Sequence, residues 1–569
     1  MKIFDNRGKA YPDVKPTVQR EWLQRRKFAL VLILACVTAF VAGVVLQRED
    51  VIGASKRFVM SFFDETQAVS NYIDGLSAEP ERLTINIKPK HYSKLVAWRQ
   101  RALERGQITS DLKVFVPAEI RYGDRKLIVK LRLKGQWTDH LKTEKWSFKV
   151  KIRDGDKLFG MRRFSLQHPL TRSYGVEPAY LSALAKHDIV TVRYRFIAVT
   201  VNGRDLGIYA LEEAIAKEMI ENRKRREGVV VRFSSDLHYS PFDHIPGRTD
   251  LPIDSGIGGF SAAPVTPYDG SRVGKSEVLS NQFLLARNML ERFRDGEIAA
   301  NAIFDLQRWA YFFAVSELMG AGAMARDWKD RRFLYNPQTR LLEPVGVEGA
   351  RYFPLTTISA ALDVNALDGF HSLLFKDREF LELYIQALEE VSSPRYLEDF
   401  FQSVNSNLGE DFRIIHSEWP RWMFPRQIIV GNAEKIRAYL NPKQGLHAYL
   451  FNREKDRIQL EIGVIQAMPL EIIDVAFSGG RLPLKERLVL PGKPVSGSVE
   501  FQVITFPISD KQKLILENIE VLKLRYRILG SDTVRILVVL ASRKLDVSII
   551  PDSLLQKKDN HKQFGFESR

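Results

Sequence analysis

The feature that most restricts the fold is a series of alternating segments that begins about 83 residues into the chain. "RLTINIKP", "DLKVFVPAEIRYG" and "RKLIVKLRLKG" each place apolar residues at every second position, and "EKWSFKVKIRDGDKLFG" continues the pattern across the turn signal Asp154-Gly155-Asp156. A period of two puts the apolar set on one face, so these segments predict an antiparallel sheet with one buried side. "PAYLSALAKHDI" then reads as a helix, "TVRYRFIAVTVNGRDLGIYALEE" as a hairpin turning at Asn202-Gly203, and "EEAIAKEMIENRKRR" as a second helix. Strands and helices in that order predict a compact α+β lobe.

Residues 234–275 are rich in Ser, Gly, Pro and Asp and hold no period, so they read as a long loop or insertion. His238 and His244 within it are expected to be solvated rather than metal-bound. Helices follow over 277–322, the second apolar nearly all round, as a buried central helix would be. "RRFLYNPQTRLLEPVGVEG" reads as two short strands joined across Asn336-Pro337, and further helices run from about 376 to 450. From about 457, short strands separated by turn signals predict an all-β, sandwich-like module over 456–552, with a polar tail at 553–569. A chain of 569 residues suits about three folded units. The main one is expected over 83–455, as an N-lobe at about 83–233, the insertion at about 234–275 and a C-lobe at about 276–455.

Phe28 to Leu46 is nineteen residues without a charge, a length that nearly spans a hydrocarbon core, and it reads as one transmembrane helix. Arg20, Arg25, Arg26 and Lys27 precede it, so a polar tail at 1–27 is expected in the cytoplasm. The bulk of the chain, after a juxtamembrane segment at 47–82, is then expected in the periplasm or outside the cell. A twin-arginine signal at Arg25-Arg26 and a lipoprotein site at Cys36 are weaker readings, because the apolar run continues ten residues past that cysteine. Cys36 is the only cysteine, which excludes an intrachain disulfide.

Hydrophobic residues at 45% and charged residues at 27% exclude wholesale disorder and a polytopic membrane protein. The net charge of +16 favours anionic partners: lipid headgroups, acidic polysaccharide, nucleotide phosphates or acidic protein segments. Nucleic acid is disfavoured outside the cytoplasm, and "RKRRE" at 223–227 reads as a solvated helix end.

Several side chains carry possible chemistry. Lys149 and Lys151 share a strand face, where a lysine can set a point charge on phosphate oxygens or simply face solvent; Lys145 precedes the same strand. Glu177 opens a helix, where it either pairs with a strand lysine or, as preferred, favours the positive helix end. The strand "GIYALEE" ends in Glu212 and Glu213, at a crossing that can offer backbone groups to a nucleotide base or merely turn a corner. Asp327 and Glu348 flank the hairpin, either as surface acids or as one proton acceptor and one Mg²⁺ ligand.

These segments, in this order, resemble the bacterial spore coat protein H (CotH) kinase-like family over roughly residues 83 to 365. The resemblance is carried by "RLKGQWTDHLKTEKWSFKVKI", "FGMRRFSLQHPL", "VRYRFIAVTVNGRDLGIYALEE" and "DWKDRRFLYNPQTRLLEPVGVEG". It implies an atypical, two-lobed protein-kinase-like domain that transfers phosphate from ATP to protein hydroxyls with Mg²⁺. By position it makes Lys149 the phosphate-contacting lysine, with Lys145 as competitor, and Asp327 the catalytic acid. Glu213 marks the segment joining the lobes, and Glu348 stands where the family has a second metal-binding Asp. The metal-binding Asn of the family corresponds here to Asp330 or Arg331. Two alternatives stay open: a non-catalytic kinase-like scaffold at the cell envelope that binds a polysaccharide or protein, and a glycan-processing enzyme using Asp327 and Glu348 as acid and base.

Overall fold

The computed structural model describes residues 66–234, 259–321, 327–349, 352–362, 369–494, 497–509, 512 and 521–543. A helix over 66–75 and residues Ile415–Met423 belong to one compact unit, in which the Asn71 amide donates to the carbonyls of Pro420 and Trp422. The larger unit takes in Glu79–Ile414 and Phe424 onward and contains everything that follows.

The alternating segments become strands β1 (Arg82–Asn86), β2 (Val116–Tyr122), β3 (Arg125–Leu133), β4 (Phe148–Ile152) and β5 (Arg163–Gln167). A two-residue strand, β6 (Val190–Thr191), precedes the hairpin of β7 (Tyr194–Val201) and β8 (Arg204–Glu213). Leu131 and Leu133 of β3, Phe148 and Val150 of β4, Phe164 and Leu166 of β5, and Leu211 of β8 all point into one buried core. The expected antiparallel sheet holds except at one pairing. β1 pairs antiparallel with β2 on one side and parallel with β7 on the other, with Arg82 opposite Ala198, so seven strands close into a barrel in the order β1-β2-β3-β4-β5-β8-β7. Strand twist brings β7 round to β1, and closure leaves neither edge of the sheet unpaired.

Helix α1 (Pro89–Arg105) was not anticipated by the strand pattern. Only Leu95 and Ala102 of its seventeen residues are buried, seven apart and therefore on one side, so its apolar stripe is too thin to stand out among the charges. Its punctuation was legible: Pro89 starts it, and Gly106, at φ 78°, ends it in the left-handed region.

A second sheet is built around the hairpin of β11 (Phe333–Tyr335) and β12 (Leu342–Gly346). Its order is β10-β9-β11-β12-β6, where β9 is Val230–Phe233, β10 is Val265–Pro267, and β12 runs parallel to β6. Thus the described end of the insertion is not all loop, since it contributes β10 and a short helix at Gly270–Val273. Helix α2 (Val176–Lys186) follows the barrel's fifth strand, and α3 (Leu306–Leu318) is the expected buried helix, with Trp309 donating its indole N–H to the Leu342 carbonyl at 3.0 Å. The helices Arg378–Val391 and Arg426–Leu440 pack on this side, and from Leu446 onward two sheets follow, one of three strands and one of four.

The proposed transmembrane segment at 28–46 lies outside the described residues, as do Cys36, His238, His244 and both polar tails. No helix among the described residues is long and apolar enough to cross a membrane. Among the described residues, the expected two-lobed kinase-like domain is replaced by a closed barrel, a mixed five-stranded sheet with its helices, and the C-terminal sheets.

Candidate functional site

The alternation that sends leucine and phenylalanine into the barrel sends a polar set outward. Across β3, β4, β5, β8 and β7 the register aligns Arg132 with Lys149, Lys149 with Ser165, Ser165 with Glu212, and Glu212 with Tyr194. One step along, Lys134 and Gln167 lie on the same face. These groups are not left to solvent: Lys134, Ser165, Gln167 and Glu212 are all buried.

Burial is tolerated because the groups satisfy one another. The Lys134 ammonium lies 2.7 Å from Glu212 Oε1 and donates to Gln167 Oε1 at 2.6 Å, while the Gln167 amide donates to Glu212 Oε2 at 3.0 Å. Beside them His140 shares a 2.9 Å hydrogen bond with the Ser147 hydroxyl. Burial, reinforced by Lys134, pushes this imidazole down to about 4, so it is neutral at physiological pH.

A rigid turn lays one more cation over this panel. Pro169–Arg172 forms a single 3₁₀ turn capped by His168, whose Nδ1 accepts the Leu170 N–H at 3.0 Å. Ser173 at φ 51° and Tyr174 at φ 57° then both adopt left-handed backbone, at a cost of roughly 1–3 kcal/mol each. That turn points Arg172 at three glutamates. Its guanidinium lies 3.5 Å from Glu212 Oε2 and 2.5 Å from Glu348 Oε1. The third, Glu177, is fully buried in the first turn of α2, and neither of its oxygens has a hydrogen-bond partner of ordinary geometry. Burial pushes the Glu177 carboxyl up to about 7, Arg172 opposing and Glu212 assisting.

Glu348 arrives from the other sheet, just past β12. It sits at φ 60°, and a Cβ on the following Gly349 would come within 2.0 Å of the Tyr180 ring on α2. The chain can pass α2 only along this path, which sets the glutamate against Arg172. Burial acts against its charge, but Arg172, Lys134 and Arg332 outweigh it and hold the carboxyl well below the usual range.

The residues singled out from sequence divide into those on this panel and those beside it. Lys149 faces it, is reached by solvent, and makes no ion pair among the described residues. Desolvation among the neighbouring side chains, reinforced by the charges of Arg132 and Lys134, brings its amine down to about 8. Lys145 instead donates to the Ile208 carbonyl at 3.0 Å and lies over the Tyr209 ring. Glu213 points away from Glu212, on the other face of the strand, and is clamped by the Arg193 guanidinium and backbone N–H. Asp327 caps a short turn, accepting the Lys329 N–H at 3.0 Å and facing that lysine's ammonium at 3.2 Å. Asp330 lies within electrostatic reach of Arg332, Glu348 and Asp327, and burial brings its carboxyl up to about 6. Arg331 goes the other way, fully buried with its guanidinium 4.6 Å from the Phe370 ring.

Sequence reasoning passed over Lys134, Gln167, Arg172 and Arg332, and it singled out Glu213 where the structure places Glu212 on the panel. The alternation in "LRLKG" carries Arg132 and Lys134 on one face, so that signal was present. Nothing periodic marks Arg172.

Residues 131–342 match the model of the CotH kinase protein family. A search of curated proteins found no match to the chain. The matched stretch contains the whole barrel panel, Arg172, Glu177 and Asp327, and ends before Glu348. This part of the chain is thus CotH-like and kinase-like. The acids expected to hold Mg²⁺ do not fit that ion as arranged. Glu348 turns one oxygen to Arg172 and the other toward Arg332 at 3.7 Å, and Asp330 lies in the field of the same Arg332. Among the described residues no group of three or more His, Cys, Asp or Glu side chains could hold a metal ion.

Proposed function

We propose that the barrel face binds the phosphates of ATP and that the domain transfers the terminal phosphate to a protein hydroxyl. The observation that carries this reading is the convergence of Lys134, Lys149, Arg132 and Arg172 on one face of the barrel, with Lys149 unpaired. Cations fixed by a sheet and a strained turn are already oriented for phosphate oxygens, and in phosphoryl transfer positioning and electrostatic stabilisation supply most of the catalysis. The acceptor hydroxyl oxygen attacks the terminal phosphorus, the bond to the bridging oxygen breaks, and ADP departs. Asp327, at the edge of the site and ion-paired with Lys329, takes the hydroxyl proton.

Transfer of label from terminally labelled ATP to added protein acceptors tests this reading. Wild type is expected to label an acceptor, and Asp327→Ala to lose labelling while still binding ATP. The arginine contacts on Glu348 favour a second reading, a kinase-like scaffold that binds nucleotide without turnover. Binding without labelling in wild type would support it.

A further inference from the structure

Three glutamates of this site surround one guanidinium. Glu212 and Glu348 contact Arg172 directly, and Glu177, buried with neither oxygen in a hydrogen bond of ordinary geometry, lies within its field. A divalent ion entering here would have to displace a guanidinium held between Glu212 at 3.5 Å and Glu348 at 2.5 Å. It would meet a second obstacle at Glu348, which also faces Arg332. The described residues therefore supply the positive charge from the chain itself: Arg132, Lys134, Lys149, Arg172 and Arg332 stand against Glu177, Glu212, Glu348 and Asp330. Five cations against four carboxyls leave the balance positive for an incoming anion, and the burial of Glu177 pushes it further that way.

We propose that the site takes the nucleoside triphosphate as the free anion, without a divalent cation, with Arg172 as the built-in counter-charge. The inference rests on the ATP-binding reading above, and Lys149, the unpaired cation at the mouth, makes the first contact. Phosphate oxygens replace part of the carboxylate contact that Arg172 now makes, and its guanidinium stays in place throughout.

Calorimetric titration of ATP into the full chain, once with excess Mg²⁺ and once with EDTA, tests this without reference to turnover. Affinity in EDTA is expected to equal or exceed that in Mg²⁺. Arg172→Gln is expected to weaken binding in EDTA by about tenfold or more, the scale of a lost charge-assisted contact. If that variant fails to fold, Lys149→Gln, at a solvent-reached position, is expected to give a loss of similar size. Binding that requires Mg²⁺ would overturn the inference and leave the ATP reading standing. Absence of binding in both buffers would overturn both. Binding in EDTA that neither variant weakens would move the anion away from Arg172 and overturn the inference alone.

Discussion

Two clusters of buried charge in this molecule look alike in composition and differ in what they leave over. In the C-terminal four-stranded sheet, Glu471 is held by Arg487 at 2.6 Å and Arg527 at 2.9 Å, and Asp474 by Arg525 at 2.8 Å. Each acid there has its arginine on a neighbouring strand, and Arg487 also reaches Glu382 on the Arg378–Val391 helix at 2.8 Å. The barrel face uses the same residue types, yet leaves one carboxylate, Glu177, without a hydrogen bond of ordinary geometry and one lysine, Lys149, without an acid. The first arrangement staples strands together. The second has unmet electrostatic demand, as a binding site does.

The comparison is broken or sharpened first by removing one arginine from each cluster. Arg172→Ala strips the counter-charge from buried glutamates and is expected to cost about 3–5 kcal/mol in urea unfolding. Arg487→Ala, whose side chain is 43% exposed, is expected to cost about 1 kcal/mol or less, because solvent screens what remains. Equal losses would erase the distinction.

Glu177→Gln gives the next largest effect, with a sign that depends on pH. The folded carboxyl is raised from 4.5 to about 7, so the stability linked to its proton is fully present below pH 4.5 and is lost as pH rises through 7. The glutamine variant keeps a neutral side chain throughout. It is expected to match wild type at pH 4.5 and to be more stable at pH 8 by roughly 3 kcal/mol in thermal or urea unfolding. A staple carboxylate such as Glu471, which its arginines hold below the usual range against the effect of burial, is expected to respond in the opposite direction.

A smaller effect concerns ligand affinity. The Lys149 amine, lowered to about 8, loses its charge as pH rises through that value, so ATP affinity is expected to fall by about tenfold between pH 7 and pH 9.5. Lys149→Met is expected to start weaker and to show a flat profile over that range. A wild-type profile without this fall would remove Lys149 from the phosphate contact.

Much of the barrel was legible because alternation is a local signal, and the outward face of Arg132, Lys134 and Lys149 follows from it. The closure was not, because pairing of β1 with β7 joins residues more than a hundred positions apart. The choice between Glu212 and Glu213 was illegible for a related reason. Adjacent strand residues face opposite ways, and only the register with β5, Ser165 opposite Glu212, decides which one meets the lysines. Asp330 and Arg331 posed the same problem in a turn: one joins the cluster and the other enters the aromatic core around Phe370. Arg172 comes from a segment whose conformation depends on Pro169, a histidine cap and two left-handed residues, none of which has a periodic signature.

The central claim is that the outward barrel face, and not the neighbouring lysine, meets phosphate. Equilibrium binding of a fluorescent ATP analogue to Lys134→Met, Lys149→Met and Lys145→Met proteins tests it most directly. The first two are expected to lose about tenfold or more in affinity, while Lys145→Met, whose ammonium caps the Ile208 carbonyl, is expected to bind as wild type does. Loss of binding in Lys145→Met with Lys134→Met and Lys149→Met unaffected would contradict it.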